Sequence, residues 1–168
     1  MSWSRPISLL AMLTVLGAAL VPTGSAAAED KQVARGKYLV TLGGCNDCHT
    51  PGYFLGKPDM TRFLGGSDVG FAIPKVGVFV PPNLTPDAET GLGTWSKEQI
   101  VAAITKGKRP DGRELAPIMP WRALAHLTPS DAQAIAAYLK TLITNTSTCS
   151  VGPNGRWTAC FTGGSVLR

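Results

Sequence analysis

Cys45-Asn46-Asp47-Cys48-His49 lies in the first third of this 168-residue chain and is its most specific chemical pattern. A Cys-x-x-Cys-His run is typical of covalent attachment of a c-type haem. Two intervening residues let both thiols reach the vinyl groups on one porphyrin edge, and the adjacent histidine can bind the iron from below. The sequence therefore predicts one covalent haem c, tethered by Cys45 and Cys48, with His49 as the proximal iron ligand.

Two other kinds of site also contain a Cys-x-x-Cys pair. A redox-active dithiol of the thioredoxin type needs a βαβ context, and the residues around the motif show no such pattern. A zinc site needs two further ligands, whereas the remaining cysteines, Cys149 and Cys160, lie about 100 residues away at a spacing unlike a second zinc pair. The haem interpretation is therefore favoured over both.

The first 28 residues have the layout of a secretory signal peptide. Arg5 supplies a positive charge, residues 7–21 form an apolar run, and Ala26 and Ala28 are small residues suited to a cleavage site. The run is short for a membrane span, which needs about 20 residues, so an uncleaved anchor is the less favoured alternative. We expect residues 1–28 to be a signal peptide and the protein to be periplasmic, attached to a membrane only if that peptide is retained.

The charge balance bears on the partner. The whole chain has a formal net charge of +5, and removal of residues 1–28 leaves 15 basic and 11 acidic side chains, a net charge of +4. No long lysine and arginine run is present, which favours a protein partner with an acidic docking face over a nucleic acid. The remaining length suits one domain, predicted at residues 29–145, followed by an extension at residues 146–168.

Two helices are predicted at the ends of this domain. Residues 31–44 carry apolar side chains at helical spacing and stop at a Gly-Gly pair directly before the Cys-x-x-Cys-His motif. Residues 129–143 show the same spacing after Thr128, which suits an N-cap. Gly36 costs stability inside the first helix, which indicates close approach of another helix, and Tyr138 is the expected contact.

The segment between these helices divides into a loop and a third helix. Residues 51–82 are rich in glycine and proline and show no helical period, which predicts a long ordered loop with a short extended piece at residues 76–80. Ser96 and Gln99 form a capping box, which predicts a helix that ends at Gly107. A loop of this length in a small domain is expected to wrap the haem.

Few residues can supply the second axial ligand of the iron. Met119 lies in the Ala116–Trp121 segment, where two prolines restrict the backbone and can hold a weak thioether–iron bond in place. Met60, in the predicted loop, and His126, before the last helix, are competing ligands. Met119 is favoured, so the predicted haem-binding residues are Cys45, Cys48, His49 and Met119, of which His49 and Met119 bind the metal.

Basic side chains concentrate beside Met119, in residues 106–122. One or two of these arginines are expected to neutralise haem propionates and the others to steer an acidic partner. A solvated loop is the alternative for any single one of them. Tyr53, Trp95 and Trp121 either line the haem pocket or pack as ordinary aromatic residues.

Three segments together resemble the class I cytochrome c family, and most of all the cytochrome subunits of periplasmic alcohol and aldehyde dehydrogenases. They are the Gly36–Pro51 segment with the motif, the Pro82–Trp95 segment that begins Pro-Asn-Leu-Thr-Pro-Asp, and the Arg109–Trp121 segment. The resemblance implies an all-α cytochrome c fold, in which the first and last helices cross and long irregular loops surround the haem. It also implies Met119 as distal ligand and a proline carbonyl, here Pro82, as acceptor for the proximal histidine N–H.

Two features depart from those dehydrogenase subunits. They usually carry several haems, whereas this chain has one motif, and the tail at residues 146–168 is its own. In the tail, β-prone residues flank Gly152-Pro-Asn-Gly155, which predicts a small hairpin. Cys149 and Cys160 are expected to pair in an oxidising compartment and to stabilise the hairpin by about 3 kcal/mol, with a reactive or metal-binding dithiol as the alternative.

The sequence predicts an electron carrier and not an enzyme. A monohaem cytochrome of this kind moves single electrons from a dehydrogenase to the respiratory chain, where a terminal oxidase or another protein accepts them. The alternative is a haem c enzyme, either a peroxidase or an oxidase of a small sulfur compound, which needs a labile distal ligand. A haem-based sensor usually needs an output module, and no second domain of adequate size is present.

Overall fold

The computed structural model describes residue 1, residues 24–145, residues 150–151 and residues 157–158. The α-helices within these ranges are α1 (Gly24–Leu42), α2 (Cys45–His49), α3 (Lys97–Lys106), α4 (Trp121–Leu124) and α5 (Pro129–Leu139). The strands pair antiparallel, β1 (Phe71–Ile73) with β2 (Gly77–Phe79) and β3 (Ser150–Val151) with β4 (Trp157–Thr158). The all-α prediction is therefore broadly right, with two small two-stranded sheets beside the helices.

Helices α1 and α5 cross with their backbones in direct contact. A Cβ atom built on Gly36 of α1 would lie 2.6 Å from the carbonyl carbon of Ala134 and 2.7 Å from the Cβ of Tyr138, both on α5. No real side chain tolerates such distances, so only glycine fits here. The predicted pairing of the two helices and the contact between Gly36 and Tyr138 are confirmed.

The boundaries of these two helices differ from the predicted ones. Helix α1 begins at Gly24, because the alanine-rich residues before Lys31 favour helix and extend it backwards into the predicted cleavage region. Helix α5 begins as predicted after Thr128, whose Oγ1 accepts a hydrogen bond from the Asp131 N–H at 3.1 Å. It ends at Leu139 and not near residue 143.

The early end of α5 has a tertiary cause. The Nζ of Lys140 donates to the carbonyl oxygens of Leu92 at 2.8 Å and Gly93 at 3.0 Å, in the loop before α3. Asn145 is hydrogen-bonded to the same part of the chain, through the hydroxyl of Thr85. These contacts between distant segments direct the chain away from the helix axis after Leu139, which apolar periodicity cannot predict.

Helix α3 follows its prediction at both ends. Ser96 Oγ accepts from the Gln99 N–H at 3.2 Å, and Gln99 Oε1 accepts from the Ser96 N–H at 2.8 Å, which is a complete capping box. Gly107 ends the helix with a φ of 66°. A Cβ on Gly107 would also lie 2.7 Å from the Cδ2 of Trp121, so the glycine lets α4 pack against the end of α3.

The long loop at residues 51–82 contains more regular structure than predicted. Two short 3₁₀ helices occupy Tyr53–Leu55 and Met60–Arg62, and the β1–β2 hairpin follows. The predicted extended piece at residues 76–80 corresponds to β2. Its partner β1 was missed because three residues are too few to show the alternation that marks a strand.

The apolar core lies where α1, α3 and α5 meet the middle of the long loop and the segment before α3. It consists of Val40, Leu64, Leu92, Ile100, Ile135, Ala136 and Leu139. Leu64 is fully buried although it lies in the loop, so the loop contributes to the core and is not merely a surface connection. In the described ranges no helix combines the length and apolar character needed to span a membrane.

The strands β3 and β4 pair Ser150 with Thr158 and Val151 with Trp157, as expected for a hairpin in the tail. Cys149 and Cys160, which were predicted to form its disulfide, lie outside the described residues, and no disulfide is present within them. The predicted signal peptide also lies outside them, except for residue 1 and the residues from Gly24 onwards.

A Gly36→Ala substitution should lower the free energy of unfolding by about 1–3 kcal/mol, because the added methyl group forces α1 and α5 apart. Denaturant unfolding measures this change. Lys37→Ala, at the next and exposed position of α1, is the matched control and should change stability by only a few tenths of a kcal/mol. Equal effects of the two substitutions would contradict the close approach of the helices.

Because of an ion pair between α1 and α5, we expect part of the free energy of unfolding to depend on pH in the acid range. Arg35 Nε lies 2.8 Å from Asp131 Oδ1, and this guanidinium hydrogen bond lowers the pKa of the Asp131 carboxyl below its ordinary value. The stabilisation is therefore fully present above the unfolded-state pKa of about 3.9 and is lost as the pH falls through the lower folded-state pKa.

Asp131→Asn should consequently lower the melting temperature at neutral pH, and the difference from the unmodified protein should shrink as the pH approaches 2. Arg35→Gln removes the other partner and should show the same convergence. Thermal unfolding over a pH series measures both. A difference that stays constant from neutral to acid pH would exclude the proposed contribution of the ion pair.

Candidate haem site

Helix α2 carries the Cys-x-x-Cys-His motif on a single turn directly after α1. Gly44, with a φ of 62°, forms the corner between the two helices, and a Cβ there would lie 3.0 Å from an oxygen of Asp47. Residues three apart on a helix face the same side, so the thiols of Cys45 and Cys48 are presented together. His49 ends the same turn.

The two thiols do not have the electrostatics of a reactive dithiol. Burial raises the pKa of the Cys45 thiol to about 11 and also raises the pKa of Cys48. Catalytic cysteines have lowered pKa values, since the thiolate is the nucleophile. Among the described residues no group of three or more His, Cys, Asp or Glu side chains is arranged to hold a metal ion, so the zinc alternative has no further ligands there.

His49 is buried with only 6% of its surface exposed, and its ring is held in one orientation. Its Nδ1 lies 2.7 Å from the carbonyl oxygen of Pro82. Because a carbonyl only accepts hydrogen bonds, Nδ1 carries the proton and Nε2 keeps a lone pair. Burial lowers the pKa of the imidazole, which keeps it neutral and able to bind a metal. The contact with Pro82 that the resemblance implied is present.

The three candidates for a distal ligand differ in burial and support. Met119 is half-buried, and both its backbone groups are hydrogen-bonded, the N–H to the Ala116 carbonyl at 2.9 Å and the carbonyl to the Trp121 N–H at 2.8 Å. Met60 is 59% exposed and His126 is exposed. Met119 therefore has the most restricted position of the three, on the segment that joins α3 to α4.

Residues 33–142 match the family model described as Cytochrome c. The chain belongs to the cytochrome c family. Membership of this family implies a covalently bound haem c, and the Cys45–Cys48 pair with His49 fits its attachment motif. The cytochrome c domain covers α2 and every element from it to α5, so all four predicted haem-binding residues lie inside the match.

Several curated relatives of this cytochrome c domain are subunits of dehydrogenases. The fructose dehydrogenase cytochrome subunit of Gluconobacter japonicus is 36% identical over 149 residues, which are 84% of this chain and 29% of that protein. The cytochrome c subunit of alcohol dehydrogenase (quinone) of Gluconobacter oxydans is 33% identical over 130 residues, 76% of this chain and 25% of that protein.

A third relative has the same kind of description. The gluconate 2-dehydrogenase cytochrome c subunit of Pantoea cypripedii is 35% identical over 111 residues, which are 66% of this chain and 23% of that protein. The chain thus spans between 23% and 29% of the length of these three relatives. The likeness concerns a cytochrome c domain within longer proteins.

The charged side chains beside Met119 include one that suits a haem propionate. The Nε of Arg109 is buried and has no hydrogen-bond partner among the described residues, although Asp111 Oδ2 is at an ion-pair distance of 3.4 Å outside hydrogen-bond geometry. The guanidinium lies 5.4 Å from the ring centroid of Trp95. A buried donor without an acceptor is uncommon and costly, and a carboxylate would satisfy it. The residues present therefore fit the carboxylate-bearing haem that the cytochrome c family implies.

Three other basic side chains of this segment, Lys108, Arg113 and Arg122, already have partners. Arg113 makes two hydrogen bonds to Asp111, at 2.7 and 2.9 Å, and these lower the pKa of that carboxyl to about 2. Lys108 lies 3.4 Å from Glu114, and the Arg122 guanidinium lies 4.6 Å from the ring centroid of Trp121. Apart from Arg109, these contacts support the solvated-loop interpretation.

The three aromatic residues that were candidates for lining the haem pocket occupy different environments. Trp95 is half-buried beneath Arg109, and Trp121 is half-buried against Gly107. Tyr53 is exposed, and its pKa is raised chiefly by a hydrogen bond to the Asp47 carboxylate of α2. Trp95 is thus the aromatic side chain most closely associated with a functional candidate.

Sequence reasoning missed a buried polar network that follows Pro82 directly. Asn83 and Thr85 are almost completely buried and are hydrogen-bonded to each other and to Asn145. The Pro-Asn-Leu-Thr-Pro-Asp segment carries no local signal of such a network, because polar residues beside prolines are usual in turns. The hydrogen bonds that join Asn83 and Thr85 to Asn145 form only in the folded chain.

Replacing Arg109 should test its proposed role. Arg109→Gln removes a positive charge beside the site, which should favour the ferric state and lower the reduction potential by the equivalent of about 1 kcal/mol. Arg113→Gln, on the same turn but exposed and paired with Asp111, is the matched control and should change the potential less. Redox titration of the haem-loaded proteins measures both, and an equal or opposite response would exclude Arg109 as the propionate partner.

Proposed function

We propose that this chain is a periplasmic monohaem cytochrome c, which accepts single electrons from a dehydrogenase and passes them towards the respiratory chain. The observation that carries the proposal is the buried His49, whose Nδ1–H is bound to Pro82 and whose Nε2 lone pair is available on the same turn as two thiols. The dehydrogenase as donor follows from the subunits to which the chain is similar. Residues 1–28 act as the signal peptide and residues 29–145 form the haem domain in this proposal.

Haem c supplies a one-electron Fe(III)/Fe(II) couple when bound. Cys45 and Cys48 tether it through thioether bonds, and the neutral imidazole of His49 binds the metal through Nε2. The Pro82 carbonyl holds the ring orientation and increases the basicity of His49, as carbonyl partners of ligating histidines do.

Met119 is the proposed distal ligand. Its thioether is a soft and weak donor, which favours the reduced metal and raises the potential. The backbone hydrogen bonds on both sides of Met119 restrict the main chain from which its thioether would bind the metal, which would limit reorganisation on electron transfer. A closed coordination shell also leaves no position for a substrate, which favours a carrier over a haem enzyme.

The proposed partners are proteins with acidic docking faces, a dehydrogenase on one side and a terminal oxidase or another acceptor on the other. The 15 basic and 11 acidic side chains that remain without residues 1–28, a net charge of +4, support long-range attraction of such partners. In the tail, we propose a disulfide between Cys149 and Cys160, which export to an oxidising compartment favours.

The test of this proposal is the absorption spectrum of the purified protein in both oxidation states. The unmodified protein should carry covalent haem and show, when oxidised, the weak long-wavelength band of a sulfur–iron bond. Met119→Ala should retain the covalent haem and lose that band, because the thioether is gone. Met60→Ala is the matched control and should keep the band.

Three outcomes would contradict the proposal. A colourless mature protein with both thiols of the motif unmodified would exclude haem attachment altogether. An unchanged spectrum in Met119→Ala would exclude Met119 as ligand, and loss of the band in Met60→Ala would assign the role to that residue instead.

A further inference from the structure

The peptide group that holds His49 is itself held by the side chain of the next residue. The Pro82 carbonyl belongs to the Pro82–Asn83 peptide bond, and Asn83 has only 1% of its surface exposed. The Oδ1 of Asn83 accepts two hydrogen bonds from Thr85, from its N–H at 2.9 Å and from its Oγ1 at 2.8 Å. These bonds restrict rotation of the peptide unit whose oxygen contacts the imidazole.

A distant part of the chain completes this arrangement. The Nδ2 of Asn83 donates to Thr90 Oγ1 at 3.0 Å and to the carbonyl oxygen of Asn145. The Asn145 N–H donates to Thr85 Oγ1 at 3.0 Å, and that hydroxyl lies 3.2 Å from the Asn145 carbonyl oxygen. We call the side chains of Asn83 and Thr85 with the backbone of Asn145 the Asn83 clamp.

The next peptide group, between Asn83 and Leu84, is anchored as well. The Leu84 N–H donates to the Leu64 carbonyl at 2.9 Å, and the Leu64 N–H donates to the hydroxyl of Thr50 at 2.9 Å. Thr50 directly follows His49 and bonds back to Asn46 of the motif at 2.7 Å. The imidazole and the carbonyl that it contacts therefore belong to one connected network, in which movement at the clamp changes the distance between them.

We propose that Asn83 and Thr85 are positioning residues for His49, and that the chain after α5 influences the reduction potential through Asn145. This inference rests on the proposed function, since it requires His49 to bind the haem iron. A firm Nδ1–H···O bond increases electron donation from the imidazole and stabilises the ferric state, so loosening the clamp raises the potential.

Thr85 provides the sharpest test, because its hydroxyl is hydrogen-bonded both to the Asn83 side chain and to the Asn145 backbone. Thr85→Val keeps the branched shape and removes the hydroxyl, whereas Thr85→Ser keeps the hydroxyl and is the matched control. In the haem-loaded full chain, Thr85→Val should favour the reduced state by about tenfold, a rise of about 59 mV for a one-electron couple. In Thr85→Val, the NMR signal of the His49 Nδ1 proton should shift, and this proton should exchange faster with solvent. Thr85→Ser should show the reduction potential and the proton signal of the unmodified protein.

A second pair of variants tests the clamp from the distant segment. Asn145→Pro removes the N–H that binds Thr85 and should raise the potential in the same direction. Asn145→Ala leaves the backbone groups in place and should leave the potential unchanged. This pair decides the question if Thr85→Val does not fold.

The failure of this inference is distinguishable from failure of the proposed function. If the variants keep covalent haem and the sulfur–iron band but show the potential and the His49 proton signal of the unmodified protein, the clamp only stabilises the fold. An equal shift in Thr85→Ser and Thr85→Val would likewise overturn the role of the hydroxyl. If the unmodified protein carries no covalent haem, the proposed function is wrong, and the inference falls with it.

Discussion

The direct backbone contact between α1 and α5 at Gly36 is the constraint on which the rest of the structure depends. Because no side chain separates the helices there, the two ends of the domain are held at a defined distance. The end of α1 then determines where α2 begins, only a Gly-Gly pair later. The end of α5 determines where the following chain meets the loop before α3, so one contact positions both the motif and Asn145.

Burial shifts the pKa values of the histidine and of the two cysteines on α2 in opposite directions. It lowers the pKa of His49 and keeps the imidazole neutral, which a metal ligand requires. It raises the pKa values of Cys45 and Cys48, which makes the thiols poor nucleophiles on their own. The raised thiol pKa values therefore disfavour thiol–disulfide chemistry, and membership of the cytochrome c family implies that a covalent haem c occupies these thiols instead.

The buried polar groups around the site differ in whether they have hydrogen-bond partners. The Asn83 clamp consists of buried groups that satisfy one another, and such networks specify one arrangement of the chain. Arg109 is the contrasting case, because its buried Nε has no acceptor within the described residues. A carboxylate group would satisfy the Arg109 Nε, whereas the network beside His49 needs no further partner.

Short-range chemistry was enough to predict several parts of this protein. The haem motif, the capping box of Ser96 and Gln99, the N-cap at Thr128 and the end of α3 at Gly107 are local patterns, in which a few neighbouring residues make the decisive hydrogen bonds. Gly36 was also informative, since a glycine inside a helix needs a reason and close packing is the usual one.

Other features depended on residues far apart in the sequence. The hairpin of β1 and β2 is too short for a periodic signal, and α5 ends early because Lys140 and Asn145 bind a loop about 50 residues away in the chain. The unsatisfied Nε of Arg109 and the clamp around Thr85 likewise exist only when distant segments are brought together. Local sequence therefore indicated the candidate residues for the chemistry, whereas the tertiary structure decided which neighbours orient them, because burial and long-range hydrogen bonds form only on folding.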